Sequence, residues 1–156
     1  MKKHKHFIFS IDLRLISFFK TAFIPFARFS LFLVFFWFGF IKLLGVSPAS
    51  PLAESLVDTM VGPQYFDILF LAIALIEVII GLLFLLPRST RVVIPLLFLH
   101  MLIVCSPLAL LPADTWQTFL VPTLEGQYII KNAVIVAVAI GIAASTAPLD
   151  QKPSSN

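Results

Sequence analysis

Two ionisable residues, Glu77 and His100, stand near the middle of long apolar runs in this chain. A carboxylate and an imidazole exchange protons readily. A charged side chain at the centre of a bilayer costs about 2.5–3.5 kcal/mol on insertion scales, so such residues are neutralised, partnered or put to use. Put to use, the pair would relay a proton or anchor a polar headgroup such as that of a quinone. Otherwise it would be a buried hydrogen bond that fixes helix register. Residue type alone leaves both readings open. A second, denser constellation follows Pro122: Glu125, Gln127, Tyr128, Lys131 and Asn132, to which Lys42 is added from an earlier segment. Gln127 and Lys131 share one helical face, and Tyr128 and Asn132 share another. Thr123 is placed to cap this helix, with Glu125 in its first turn near the positive dipole end. The cluster is either an ordinary helix start with a snorkelling lysine or an outer-side polar pocket suited to an anion or a headgroup.

Other chemistry finds little support. Cys105 is the only cysteine, so an intrachain disulfide and a cysteine-based metal cage are excluded. It sits in an apolar run near Pro107, where a thiol is inert. There is no phosphate loop, dinucleotide fingerprint, zinc-protease motif or serine elbow. His100 has no second histidine within the runs with which to hold a haem. No catalytic residue and no metal ligand is assigned.

The elements that must position these residues follow from composition. Of 156 residues, 60% are hydrophobic and 12% charged, too little charge to cover a water-facing surface of this size. With a mean hydropathy of +1.03, the chain is expected to be an all-α integral membrane protein in contact with the lipid bilayer. Four spans are expected, at about 25–44, 66–86, 92–111 and 127–147. Each is long enough for a ~30 Å hydrocarbon core at ~1.5 Å per residue. Pro87 and Pro112 close the second and third, and Pro107 is expected to kink the third. The short link 87–91 makes the second and third an antiparallel hairpin. Residues 45–65 read as a loop with one short amphipathic helix bearing Leu52, Leu56 and Met60 on one face. Residues 112–126 form a second loop with Trp116 as an interface aromatic. Ala133, Ala137, Gly141 and Ser145 recur every four residues, a small-residue face suited to helix packing.

Residues 1–24 are expected to be a basic head and an amphipathic interfacial helix. Ser10, Arg14, Ser17 and Thr21 form its polar stripe. The apolar region is too long for a signal peptide, and no small-x-small site closes it. His4 and His6 read as part of a solvated basic head. Arg28 marks the inner end of the first span and is expected to snorkel to headgroups. Lys42, at the other end, either snorkels or faces the bundle. Residues 148–156 read as a disordered tail. With four spans, nine Lys and Arg fall on the side of the termini and the 87–91 link, and only Lys42 and Lys131 on the other. The excess of positive charge inside puts both termini in the cytoplasm. The net charge of +3 is thus explained by topology, and nucleic acid is not an expected partner.

Four segments together resemble the DoxX-like superfamily of small four-helix inner-membrane proteins. They are Ala27-Arg28 with Gly39-Phe40-Ile41-Lys42, Glu77 with Gly81-Leu82-Leu83, His100 leading to Ser106-Pro107-Leu108, and Leu124 through Asn132. The resemblance covers roughly residues 25–147 and is nearest to the group that includes a reactive-chlorine-resistance membrane protein. It implies a bacterial cytoplasmic-membrane protein. Some relatives are subunits of thiosulfate:quinone oxidoreductase and others are linked to oxidative stress. The chain departs from the family pattern in its long N-terminal extension and in Asn132, where aspartate is common. The expected function is a membrane component of a redox or stress system that handles a quinone or partners an oxidoreductase, with no cofactor assigned. Its partners would be a membrane or periplasmic oxidoreductase subunit, or further copies of the chain. A small-molecule transporter and a scaffold without chemistry are the alternatives.

Overall fold

Helix α1 runs without a break from Lys2 to Leu43 and is the longest element of the computed structural model. The structure describes residues 2–147, with side chains from residue 11 onward together with Phe9. The side chains of His4, His6 and Ser10, and the tail 148–156, lie outside the described residues. After α1 come α2 (Ser50–Met60), α3 (Phe66–Phe84), α4 (Thr90–Cys105), and the short α5 (Pro107–Leu110) and α6 (Pro112–Thr115). A two-stranded hairpin of β1 (Trp116–Thr118) and β2 (Val121–Pro122) leads into α7 (Leu124–Ala144). The architecture is an all-α bundle. Four helical stretches are long and apolar enough to cross a membrane: Ile11–Leu43, Pro63–Phe84, Pro87–Leu110 and Leu124–Ala144.

The core is the inner stripe of these four helices. Ala27, Leu31 and Phe35 recur every four residues on α1 and meet Ile80 and Phe84 of α3, Val93 and Leu97 of α4, and Ala139 and Ile142 of α7. The outer faces are apolar too: Phe26, Ile68, Leu102 and Val134 are all exposed. A helix apolar all round is what a lipid-facing bundle presents. Helices α1 and α3 pack antiparallel and close. A Cβ placed on Gly81 would lie 2.6 Å from the Phe36 nitrogen, and one on Gly39 would lie 2.8 Å from the Val78 nitrogen. The two glycines are complementary, each receiving the backbone of the facing helix. Helix α1 ends in a Schellman turn: Gly45, at φ 72°, donates to the Lys42 carbonyl and Val46 to that of Ile41. This end fixes where Lys42 emerges.

Several local expectations change on contact with the structure. The 7–24 segment is helical, but no turn separates it from the first span, and Pro25 lies inside α1. In α2 the buried face carries Leu56 and Val57, with Leu52 half-buried, whereas Met60 is exposed. Helix α4 stops at Cys105 because Pro107 has no N–H for the Ile103 carbonyl. The Ser106 hydroxyl donates to that carbonyl instead, at 2.8 Å. On α7 the stripe residues Ala133, Ala137 and Ser145 are exposed, while Gly141 is half-buried against the Phe23 ring of α1; the buried side carries Ile129, Ala139 and Ile142. The loop 112–126 holds a hairpin that the spacing does not announce. Its two-residue tip, Phe119-Leu120, lacks the Asn-Gly signature of such turns. Leu120 takes φ 60° in consequence.

Candidate functional site

Three helices each contribute one polar residue to a single buried cluster. Lys42 leaves the last turn of α1, Glu77 the middle of α3, and His100 the inner stripe of α4 between Leu97 and Met101. The Lys42 ammonium donates to Glu77 Oε2 at 2.5 Å, and His100 Nε2 lies 3.2 Å from Glu77 Oε1. Burial is nearly complete, with 11% of the Lys42 side chain exposed, 7% of Glu77 and 2% of His100. The His100 ring also meets Phe35 edge to face at 5.7 Å. With a neutral imidazole, the ammonium and the carboxylate cancel and the triad carries no net charge, the arrangement a low-dielectric interior tolerates best. Glycine packing sets the geometry. A Cβ on Gly39 would strike the Ala74 carbonyl and Glu77 Cβ, so only glycine lets α1 approach closely enough for Lys42 to reach the carboxylate.

The triad joins what the spacing kept apart. Glu77 and His100 meet as the hairpin of spans makes feasible. Lys42 stands with them and makes no hydrogen bond or ion pair with the residues that open α7. At that second cluster Glu125, Gln127, Tyr128 and Lys131 are exposed and Asn132 is half-buried. The Lys131 ammonium lies over the Tyr128 ring at 4.9 Å from its centroid. Thr123 caps α7 by accepting from the Gly126 N–H at 3.1 Å, and its own hydroxyl donates to the Asp114 carbonyl at 2.7 Å. Gly126 itself is a contact point: a Cβ there would fall 2.1 Å from the Thr115 carbonyl. The cap and Gly126 start this helix and seat it against α6, while Asn132 hydrogen-bonds the Cys105 thiol of α4.

Arg28 does not reach for headgroups. Its guanidinium turns onto the α3–α4 link, donating to the Phe84 carbonyl at 3.2 Å, to the Leu86 carbonyl at 3.5 Å and to the Thr90 hydroxyl. Phe84, Leu85 and Leu86 end α3, where carbonyls lack helical donors, and a cation there is favoured by the helix dipole. Thr90, buried between Arg28 and the Pro87 carbonyl, escapes notice in the sequence, because a lone threonine in a short turn carries no signal. Cys105 is half-buried on α4. Among the described residues no three His, Cys, Asp or Glu gather as metal ligands.

The site defines a class by geometry alone: a helical bundle with a buried Lys-Glu-His triad between its apolar faces. Set against protein-family models, curated proteins and solved structures, the chain matches none.

Proposed function

We propose that the protein is a multi-pass protein of the bacterial cytoplasmic membrane, of DoxX-like type, and that its triad handles protons for a redox or oxidative-stress system. The observation that carries this reading is the carboxylate of Glu77 held between an ammonium and an imidazole in an apolar interior. Imidazole and carboxylate are groups that bind and release protons in catalysis, and here they stand 3.2 Å apart. A proton arriving at either can be passed to the other without opening the bundle. Reduction of a quinone consumes protons as well as electrons. In this reading the electrons come from an oxidoreductase partner, and the triad supplies protons to a quinone at the bundle surface.

Two further observations support the membrane and family parts. Burial of Lys42 leaves Lys131 as the one exposed basic residue at its end of the described chain, while Arg88 and Arg91 are exposed at the other. That charge asymmetry supports an orientation with the termini in the cytoplasm. The residues that carry the family resemblance also meet one another: Gly39 faces Glu77, Gly81 faces Phe36, and Lys42, Glu77 and His100 touch. The test is extraction of the full chain from native membranes in mild detergent, with identification of bound quinone and protein, beside survival of an oxidant challenge. Wild type is expected to carry quinone or an oxidoreductase subunit and to restore survival. Glu77→Gln, inserted to the same level, is expected to restore neither. Full survival with Glu77→Gln sinks the proton-handling role.

A scaffold role is favoured by one specific observation. Every buried polar side-chain atom among the described residues has a partner. A triad so closed is also what a register lock looks like. The same survival assay separates the two, because a lock affects only the amount of folded protein.

A further inference from the structure

Charge, apolar surface and empty space coincide at the Arg28 end of the bundle, well away from the triad. A hollow of about 430 Å³ opens there between α4 and α7. Its rim carries the Thr146 hydroxyl and the Arg91 guanidinium, and its walls are Ile94, Pro95 and Ala143. Small side chains on α7 leave the space that larger ones fill further up the same helix. Arg91 is fixed across the opening, since its Nη2 donates to the Ala147 carbonyl at 2.7 Å. Pro95 has no N–H, so the Arg91 carbonyl four residues earlier lacks its helical donor. One residue therefore offers both a held cation and a spare acceptor. Arg28 stands behind it through Thr90, whereas the exposed Arg88 of the link is not part of the lining. No ion pair engages any of these arginines among the described residues; the two ion pairs present both belong to Glu77.

We propose that this hollow binds an anionic glycerophospholipid of the inner leaflet. The phosphodiester sits against Arg91, a headgroup hydroxyl donates to the free Arg91 carbonyl, and an acyl chain lies along Ile94, Pro95 and Ala143. The proposal rests on the membrane reading above. Basic hollows between membrane helices on the cytoplasmic side suit such headgroups. A soluble phosphate would share the contact with Arg91 but would leave the apolar walls, most of the lining, without a partner.

The experiment reconstitutes the full chain into phosphatidylcholine vesicles doped with phosphatidylglycerol, re-extracts it in mild detergent and counts phosphatidylglycerol retained per chain. Wild type is expected to retain it. Arg91→Gln should lower retention about fivefold, in line with the contribution of one basic residue at an anionic surface. Ala143→Leu, which fills the hollow and leaves every charge in place, should lower it comparably. Arg88→Gln, on the exposed link, should leave it unchanged. Equal retention by all four proteins overturns the site, and an equal loss with Arg88→Gln reduces it to diffuse surface charge. Displacement of the lipid by millimolar inorganic phosphate that binds Ala143→Leu as well as wild type assigns the arginine to a soluble anion and overturns the lipid. Failure of the membrane reading shows separately, as release of the chain from the vesicles by alkaline carbonate before any lipid is counted.

Discussion

The triad and the start of α7 are two polar regions beside the apolar helices, and they invert the relation between polarity in sequence and polarity in space. Around Lys131 polar residues crowd into one stretch, yet four of the five candidates there are exposed. The cluster serves its own helix through a cap, a first-turn acid and a cation over a ring. Lys42, Glu77 and His100 are each isolated in sequence, yet they meet in one buried contact. Adjacent polar groups can satisfy one another or meet water, so nothing drives them inward. Isolated polar groups in separate apolar helices have only one another, and the desolvation cost of leaving one unpaired forces the helices into register.

The largest test of that contrast is Glu77→Leu, which strands a buried ammonium. The expected loss is about 3–5 kcal/mol of stability, read as a collapse of the thermal midpoint in detergent. Adding Lys42→Met should recover most of it, because an apolar pair of similar volume is tolerated where a lone charge is not. A double variant as unstable as the single one would mean that Lys42 and Glu77 are not partners. Gly81→Ala comes next. Its methyl must displace the Phe36 backbone, and overpacking of this kind costs about 1–3 kcal/mol. The same melting assay reads it, and an unchanged midpoint would show that the α1–α3 contact is looser than 2.6 Å demands. At the α7 start, Thr123→Ala removes a cap and should cost about 1 kcal/mol. Hydrogen exchange at the Gly126 amide should quicken with it. Smallest of all, Lys131→Ala should leave the midpoint where it was. A large drop there would erase the distinction between the two regions.

Much of this could be read from residue pattern, and the exceptions have physical reasons. Length and apolarity locate the cores of all four spans, because a helix that must cross hydrocarbon has few ways to be built. Matching depth places Glu77 beside His100. Lys42 was harder, since a lysine at a helix end can run to water or turn inward, and only the approach of Gly39 to α3 decides between them. That approach is a property of two helices and appears in neither alone. Arg28 is a parallel case: its partners are backbone carbonyls at the end of α3, and carbonyls leave no mark on a sequence. The exposed Ala133 stripe shows the limit of periodicity, which finds faces but not which face is inside.

The order of the triad along the chain bears on how the protein is made. Lys42 leaves the ribosome 35 residues ahead of Glu77. At about 5–20 residues per second, that is a wait of roughly 2–7 s in which α1 exists without α3. Over that interval the ammonium has no counter-charge, and in a membrane α1 would have to hold it at the aqueous edge of the bilayer. Only when α3 enters does the lysine have somewhere to go. On the membrane reading proposed above, insertion would include a step that resembles the closing of a clasp, in which a helix already in place turns its charged end from water toward a later arrival.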